Sequence, residues 1–169
     1  MLGVTAMSLV LAVATATMEL RSSDFSPNGT IPARSMATDC GGMNRPPALR
    51  WGGAPSTAKS FALILHDPDA PLPGGFYHWV IYNIPATARG LPAAAVLAHD
   101  QLGITSRGAA GYYGPCPPPG PAHHYVFTLY ALDLDRIGAP SPLDAMQLEA
   151  RIKDHVLAHA NLEASASHP

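Results

Sequence analysis

The stretch Gly111–Leu132, GYYGPCPPPGPAHHYVFTLYAL, decides how the rest of the chain is interpreted. Four of the five positions 115–119 are proline, which fixes φ and removes a backbone donor, so neither a helix nor a central strand can form there. The apolar, aromatic run Tyr125–Leu132 then predicts a buried strand. Rigid loops that deliver polar side chains to the end of a sheet commonly build binding sites. We therefore expect this proline-rich loop to form one wall of a small anion-binding pocket.

Two runs upstream predict strands that pair with each other. Ser60–Leu65, SFALIL, is short, continuous and apolar, which is typical of a buried strand. Phe76–Ile84 is rich in aromatic and β-branched residues. The acidic turn Asp67-Pro68-Asp69 lies between the two runs and is expected at one end of their sheet.

One segment, Ser141–Leu162, predicts a helix near the C-terminus. Ser141 is suited to cap it, Pro142 occupies the tolerated first position, and Asp144 lies in the first turn, where negative charge is favoured. The apolar residues that roughly follow one helical face are Leu143, Met146, Ala150, Val156, Leu157 and Ala160. The tail from Glu163 onwards is expected to be frayed.

The composition of the whole chain indicates a single β-rich domain. Its 169 residues suit one domain with a sizeable core. With 47% hydrophobic and 13% charged residues and a net charge of -2, the chain does not read as disordered or as nucleic-acid-binding. Eighteen prolines and fifteen glycines imply many turns, which favours short strands over a helical bundle.

The first sixteen residues, MLGVTAMSLVLAVATA, predict a cleaved signal peptide, with a single domain over residues 17–169. The apolar run is shorter than the ~20 residues that span a bilayer, so no transmembrane segment is expected. Leu9–Val13 suits the apolar region of a signal peptide, and Ala14-Thr15-Ala16 suits its cleavage site. The predicted location is periplasmic or secreted. The alternative is a cytoplasmic protein in which these residues form a first strand.

The chain has two cysteines, Cys40 and Cys116. In an oxidising compartment a Cys40–Cys116 disulfide would tie the proline-rich loop to the N-terminal segment. In the cytosol both would be buried, reduced thiols. Two distant cysteines without a CxxC pair give little support for zinc.

Strand alternation predicts which polar side chains share a face. Side chains alternate along a strand, so only one of the two adjacent histidines, His123, shares a face with Tyr125. The same rule places His78 with Val80 and Tyr82. We expect His123 and Tyr125 to contribute to one pocket.

These residue types suit a phosphate or a carboxylate. Imidazoles and a tyrosine hydroxyl donate hydrogen bonds to oxyanions, and nearby carboxylates orient histidines or raise their pKa. Asp67 and Asp69 could do this, although Asp-Pro-Asp is also ordinary turn chemistry. A metal site would draw on His66, Asp67, Asp69, His78 and His123. The chain has no compact HxH or HExxH spacing, no nucleophile elbow and no P-loop, so no metal and no cofactor is predicted.

Three motifs resemble one protein family. DPDAP at Asp67–Pro71, FYHWVIYNIP at Phe76–Pro85 and GPCPPPGPAHHYVFTLYALD at Gly114–Asp133 are similar to the bacterial YbhB/YbcL branch of the phosphatidylethanolamine-binding proteins, also called Raf kinase inhibitor-like. The similarity covers most of residues 18–162. It implies a mainly β fold, in which a central antiparallel sheet packs on a second, smaller sheet and is followed by a C-terminal α-helix.

The resemblance also implies a pocket for phosphate-like groups such as phosphoethanolamine. Carried onto this sequence, the pocket residues are Asp67, His78, Pro118, His123 and Tyr125, with Asp69 in support. Two segments depart from the family pattern. Residues 36–40 read MATDC where a tyrosine-threonine-cysteine pattern is usual, which leaves the pairing of Cys40 open. The C-terminal LEASASHP lacks the usual Gly-x-Tyr ending, so a pocket contribution from there is missing or altered.

The resemblance implies a non-enzymatic protein that binds a small phosphorylated or anionic ligand. It also implies a protein partner, in the manner of kinase modulators or peptidase inhibitors, and is compatible with a homodimer. One alternative is a metal-dependent or acid/base hydrolase that uses Asp67, Asp69, His78 and His123. The other is a purely structural exported domain whose polar groups tie the loop to the sheet.

Overall fold

The computed structural model describes residues 17–139 and 142–168, so the predicted signal peptide and the predicted cap at Ser141 lie outside it. In chain order the elements are β1 (Glu19–Ser22), β2 (Gly29–Thr30), β3 (Leu49–Gly52), β4 (Ser60–Asp67), β5 (Phe76–Pro85), β6 (Gly90–Leu91), β7 (His123–Leu132), α1 (Ala145–Ile152) and β8 (Val156–Ala166). Short 3-10 helices cover Ala33–Ser35, Thr38–Cys40 and His99–Gln101. None of the helices in these two ranges is long and apolar enough to cross a membrane.

The strands form two sheets that pack on each other. The larger sheet has the order β2-β8-β7-β4-β5, and its neighbours are antiparallel except for the parallel pair β2 and β8. The smaller sheet has the order β1-β3-β6. One hydrophobic cluster joins the sheets, with Trp51 of β3 against Phe61 of β4 at 5.6 Å between ring centroids. The prediction of a central sheet packed on a second, smaller one is confirmed.

Both faces of the larger sheet are covered at its central strand β4. Along β4, Phe61, Leu63 and Leu65 pack towards the smaller sheet, whereas Ala62 and Ile64 pack in a second cluster that contains the apolar side of α1. A strand that is buried on both faces reads as a continuous apolar run rather than as an alternating one. The predicted strands and the antiparallel pairing of β4 with β5 are confirmed.

The predicted long helix is wrong. Helix α1 ends at Ile152, and Val156–Ala166 is strand β8, which pairs along its length with β7. The segment contains several alanines, which favour helices, but its buried residues alternate from Ala160 to Ala166, as in a strand. The tail from Glu163 is not frayed, because Glu163 pairs with Val126 of β7.

The start and the buried side of α1 also differ from the prediction. Asp144 is the N-cap rather than a first-turn residue, and its side chain accepts a hydrogen bond from the Gln147 backbone at 2.8 Å. Its buried residues are Ala145, Leu148 and Ile152, whereas Met146, predicted to be buried, is 71% exposed. The apolar side of α1 is therefore shorter than predicted, because the helix packs on one face of the larger sheet over about two turns only.

An irregularity in β5 changes the predicted direction of His78. Leu65 pairs with Trp79 and His66 pairs with Tyr77, so His78 is an extra residue without a partner on β4. This bulge turns the His78 ring towards Tyr125 of β7, with 5.3 Å between ring centroids. The predicted shared face with Val80 and Tyr82 is therefore wrong. Those two residues belong to the cluster beneath α1.

Candidate ligand-binding site

A cleft of about 480 Å³ opens at the end of the larger sheet, where β4 ends and β5 and β7 begin. Its walls are formed by Asp39, Asp67, Ala70, Pro71, Leu72, Phe76, His78, Arg107, Tyr113, Cys116, Pro117, Pro118, His123 and Tyr125. All the predicted pocket residues except Asp69 are in this set. The antiparallel pairing explains why these residues come together, because the end of β4 lies beside the starts of both of its neighbours, β5 and β7.

Asp67 is the centre of the polar network in the cleft. It is only 3% exposed, and its Oδ2 accepts a hydrogen bond from His123 Nδ1 at 2.9 Å. Its Oδ1 accepts one from the Asp69 backbone N–H, also at 2.9 Å. His78 Nε2 lies 4.0 Å from Oδ2, beyond hydrogen-bond distance. The carboxylate thus orients His123 while it stays close to His78.

His78 is held in one tautomer by the backbone. Its Nδ1 donates to the Tyr113 carbonyl oxygen at 2.8 Å, and its ring packs against Phe76 at 4.5 Å between centroids. Burial lowers the pKa of His78 to about 4, although the hydrogen bond to Tyr113 and the charge of Asp67 act in the opposite direction. At neutral pH the ring is therefore neutral, with its proton on Nδ1 and a lone pair on Nε2.

Tyr125 brings a buried hydroxyl to the same cleft. Its side chain is fully buried, yet the hydroxyl has no hydrogen-bond partner of acceptable geometry in residues 17–139 and 142–168. Burial, followed by the charge of Asp67 and the proximity of its side chain to the hydroxyl, raises the pKa of Tyr125 above its ordinary value. The hydroxyl therefore keeps its proton and is available as a donor.

The proline-rich loop is fastened to the segment that precedes β3. A disulfide joins Cys40 to Cys116, with 5.5 Å between their Cα atoms. Gly114 N–H donates to Asn44 Oδ1 at 2.7 Å, and a Cβ on Gly114 would overlap the carbonyl oxygen of Ser35. Only glycine allows this close approach. The loop is thus rigid at the side where it forms the wall of the cleft.

The C-terminus reaches the other side of this loop. His168 Nδ1 lies 3.0 Å from the Pro117 carbonyl oxygen and 3.9 Å from Cys40 Sγ. A histidine of the C-terminal segment thus lies beside the loop. It is not among the residues that line the cleft.

Asp69 lies outside the cleft and serves a different contact. Its Oδ2 accepts hydrogen bonds from the backbone N–H and the Nδ1 of His124, both at 2.7 Å. These hydrogen bonds lower the pKa of Asp69. The pair ties the acidic turn to the start of β7. Asp69 is thus not one of the residues that line the cleft, and its side chain contacts His124 instead.

The sequence did not indicate three residues at the mouth of the cleft. Arg107 Nη1 lies 2.9 Å from Asp39 Oδ2, and its guanidinium lies over the Tyr113 ring at 4.3 Å. The Tyr113 hydroxyl donates to the same Asp39 oxygen at 3.1 Å. The hydrogen bond from Arg107 is the main cause that lowers the pKa of Asp39. Asp39 lies in the short 3-10 helix Thr38–Cys40 and Arg107 lies in a turn 68 positions later, so no periodic pattern could have linked them.

Metal ligation was the alternative use of these side chains. Within the two described ranges, no group of three or more His, Cys, Asp or Glu side chains is arranged to hold a metal ion. The Asp67, His78 and His123 side chains instead form the hydrogen-bonded network described above.

Known proteins share this fold and sequence. A family model described as phosphatidylethanolamine-binding protein matches residues 21–167. The UPF0098 protein of Methanothermobacter thermautotrophicus is 43% identical over 150 residues, which cover 86% of this chain and 95% of that protein. The UPF0098 protein YbhB of Escherichia coli is 35% identical over 158 residues, which cover 89% of this chain and all of YbhB.

Solved structures agree. The crystal structure of Escherichia coli YbcL, described as a new member of the mammalian PEBP family, superposes with a TM-score of 0.83 at 30% identity, covering 90% of this chain and 99% of YbcL. The Chlamydia trachomatis homologue CT736 gives 0.83 at 32% identity, covering 91% and 99%. Two packed sheets with one short helix are thus the fold of a known class, and the chain belongs to the phosphatidylethanolamine-binding protein family. Within it, the sequence lies in the YbhB/YbcL branch.

Proposed function

We propose that this protein is a non-enzymatic binding protein whose cleft holds a phosphate- or carboxylate-type group. The observation that carries the proposal is the buried Tyr125 hydroxyl without a partner, in the same cleft as Asp67, His78 and His123. A buried polar group that lacks a partner costs free energy, and most such groups in folded proteins are paired. A ligand oxygen that accepts a hydrogen bond from the Tyr125 hydroxyl removes that cost.

The state of the cleft side chains favours binding over hydrolysis through a covalent intermediate. Covalent catalysis needs a nucleophile with an adjacent base or a lowered pKa. Cys116 is bonded to Cys40, and burial raises the pKa of Tyr125 rather than lowering it. The hydrolase alternative also uses Asp69, whereas the Asp69 side chain accepts from His124 outside the cleft.

The test is a phosphate titration followed by the histidine imidazole resonances in NMR. We expect His78 and His123 to shift at millimolar phosphate, and Tyr125→Phe to weaken binding about tenfold, because a hydrogen bond to a charged group contributes roughly 1.5–3 kcal/mol. Tyr130→Phe is the matched control, since Tyr130 is on the same strand but packs against the cluster beneath α1. A folded protein whose imidazoles do not respond refutes the proposal. Turnover abolished by His123→Ala would establish the hydrolase instead.

We also propose that the protein acts in an oxidising compartment, periplasmic or extracellular, and modulates a protein partner through the cleft. The Cys40–Cys116 disulfide supports the location, because such bonds persist mainly outside the cytosol. Cell fractionation with mass determination of the mature N-terminus tests it, and a full-length cytosolic protein contradicts it. A homodimer is a further proposal, for which sedimentation velocity is the test.

A further inference from the structure

Two hydrogen-bond acceptors face each other at the base of the cleft. Asp67 Oδ2 and His78 Nε2 are 4.0 Å apart. The proton of His78 is committed to the Tyr113 carbonyl through Nδ1, which leaves Nε2 with a lone pair. Asp67 is an acceptor at both oxygens. The two groups cannot bond to each other, but a single group that carries a hydrogen can bond to either when it lies beside them.

The same cleft also presents a donor. The Tyr125 hydroxyl keeps its proton and lies near the Asp67 side chain, but it makes no hydrogen bond of acceptable geometry to any residue that the structure describes. The Nδ1 proton of His123 is already used by Asp67. A ligand that satisfies this base must therefore provide both a hydrogen, for Asp67 or His78, and an acceptor oxygen, for Tyr125. A fully ionised oxyanion provides acceptors alone, and an ammonium group provides donors alone.

We propose that the cleft selects phosphate monoesters in their singly protonated form, in which the P–OH bonds to Asp67 or His78 and another oxygen accepts from Tyr125. This inference rests on the proposed function and narrows its ligand class. It disfavours sulfate esters and phosphodiesters, which carry the same single charge without a hydrogen. The neutral state of His78, which follows from its burial, agrees with the acceptor role of Nε2.

Among the described residues that line the cleft, the only Arg or Lys side chain is Arg107. Arg107 is at the mouth and is paired with Asp39. The titratable and charged groups that face the Asp67–His78 pair from the neighbouring elements are His66, Asp69, His123, Tyr125, Tyr113, Arg107 and Asp39. A dianion would meet the Asp67 carboxylate directly, and like charges repel strongly in a buried site.

The experiment compares ethyl phosphate with ethyl sulfate by calorimetry. Near pH ~5.5 most ethyl phosphate is a monoanion, since its second pKa is about 6. The two probes then have equal charge and nearly equal shape, and differ by one proton. We expect ethyl phosphate to bind at least about tenfold more tightly, because an acceptor facing the Asp67 carboxylate loses a charged hydrogen bond. The ratio should fall near pH ~8.5, where the phosphate loses its hydrogen. Protonation of the protein in the absence of ligand affects both probes equally and cancels in the ratio.

A variant tests the part played by Asp67. Asp67→Asn places an amide N–H where only an acceptor stood, so ethyl sulfate gains relative to ethyl phosphate and the affinity ratio moves towards one. Asp133→Asn is the control, because Asp133 also accepts from a histidine, His155 Nδ1 at 2.8 Å, but lies outside the cleft. The control should retain the wild-type ratio. If Asp67→Asn does not fold, the wild-type ratio decides alone.

Each outcome bears on one of the two proposals. Tight ethyl phosphate with weak ethyl sulfate and weak diethyl phosphate supports the inference. Equal binding of ethyl phosphate and ethyl sulfate overturns it and leaves the oxyanion pocket standing. If neither anion binds the folded protein, or if ethylammonium binds in preference to both, the proposed function fails and the inference fails with it.

Discussion

His78 owes its chemistry to one extra residue in β5. The bulge places its ring beside Tyr125, and the Tyr113 carbonyl determines which nitrogen carries the proton. Alternation predicted the pairing of His123 with Tyr125 from the sequence, because β7 is regular there. It could not predict the position of His78, because a bulge has no signature in the pattern of side chains.

We expect the burial of His78 to make stability depend on pH. The pKa of His78 is about 4 in the folded protein and 6.5 in the unfolded chain. Between these pH values the unfolded chain therefore binds the proton more readily than the folded protein. The contribution of His78 to the free energy of unfolding is fully present above pH 6.5. It is lost as the pH drops towards 4, by on the order of 3 kcal/mol in total. Urea denaturation at several pH values measures this slope. The slope should be shallower in His78→Gln, and an unchanged slope would show that His78 is not its source.

Tyr125 and Tyr112 should respond oppositely to the loss of a hydroxyl. Tyr125 has an unpaired hydroxyl, so Tyr125→Phe should leave the ligand-free protein as stable as wild type or more stable by about 1 kcal/mol. Tyr112 donates to the Ser35 carbonyl at 2.8 Å, so Tyr112→Phe should destabilise by about 1 kcal/mol. Urea unfolding in phosphate-free buffer measures both. Equal destabilisation by the two changes would mean that Tyr125 has an internal partner.

Whether each strand or helix could be predicted from the sequence depended on how unambiguous its local pattern of residues was. Strands β4, β5 and β7 were predictable because they are apolar, aromatic or β-branched and are bounded by proline and glycine. The first part of β8, residues 156–162, was predicted as helix because its apolar residues, including Ala158 and Ala160, match either period. Its pairing with β7 decides the matter, and long-range pairing is not visible in a local pattern.

The proline-rich loop depends on its disulfide. The bridge closes a span of 76 residues, for which chain entropy predicts a loss of about 4 kcal/mol on removal. We therefore expect Cys40→Ser with Cys116→Ser to unfold at lower urea and to bind phosphate more weakly, because Pro117 and Pro118 line the cleft. The control is a reductant, which should affect wild type and leave the double variant unchanged. Wild-type stability that does not respond to reduction would contradict a structural role for the bridge.

At the scale of the molecule, three motifs in a fixed order were enough to predict the family and the two-sheet fold. They cover the polar base of the cleft, since Asp67, His78, His123 and Tyr125 all fall within them. They do not cover its mouth. Asp39 and Arg107 meet only because a short 3-10 helix and a turn converge over the cleft, and neither carries a long enough period for the sequence to reveal the contact.

A crystal structure of the protein grown with saturating phosphate tests the binding site most directly. We expect an oxyanion at the base of the cleft, between Asp67, His78 and Tyr125, with one oxygen within about 3 Å of the Tyr125 hydroxyl. An oxyanion bound only to Arg107 at the mouth, or a cleft base without one at saturation, would contradict the proposed function.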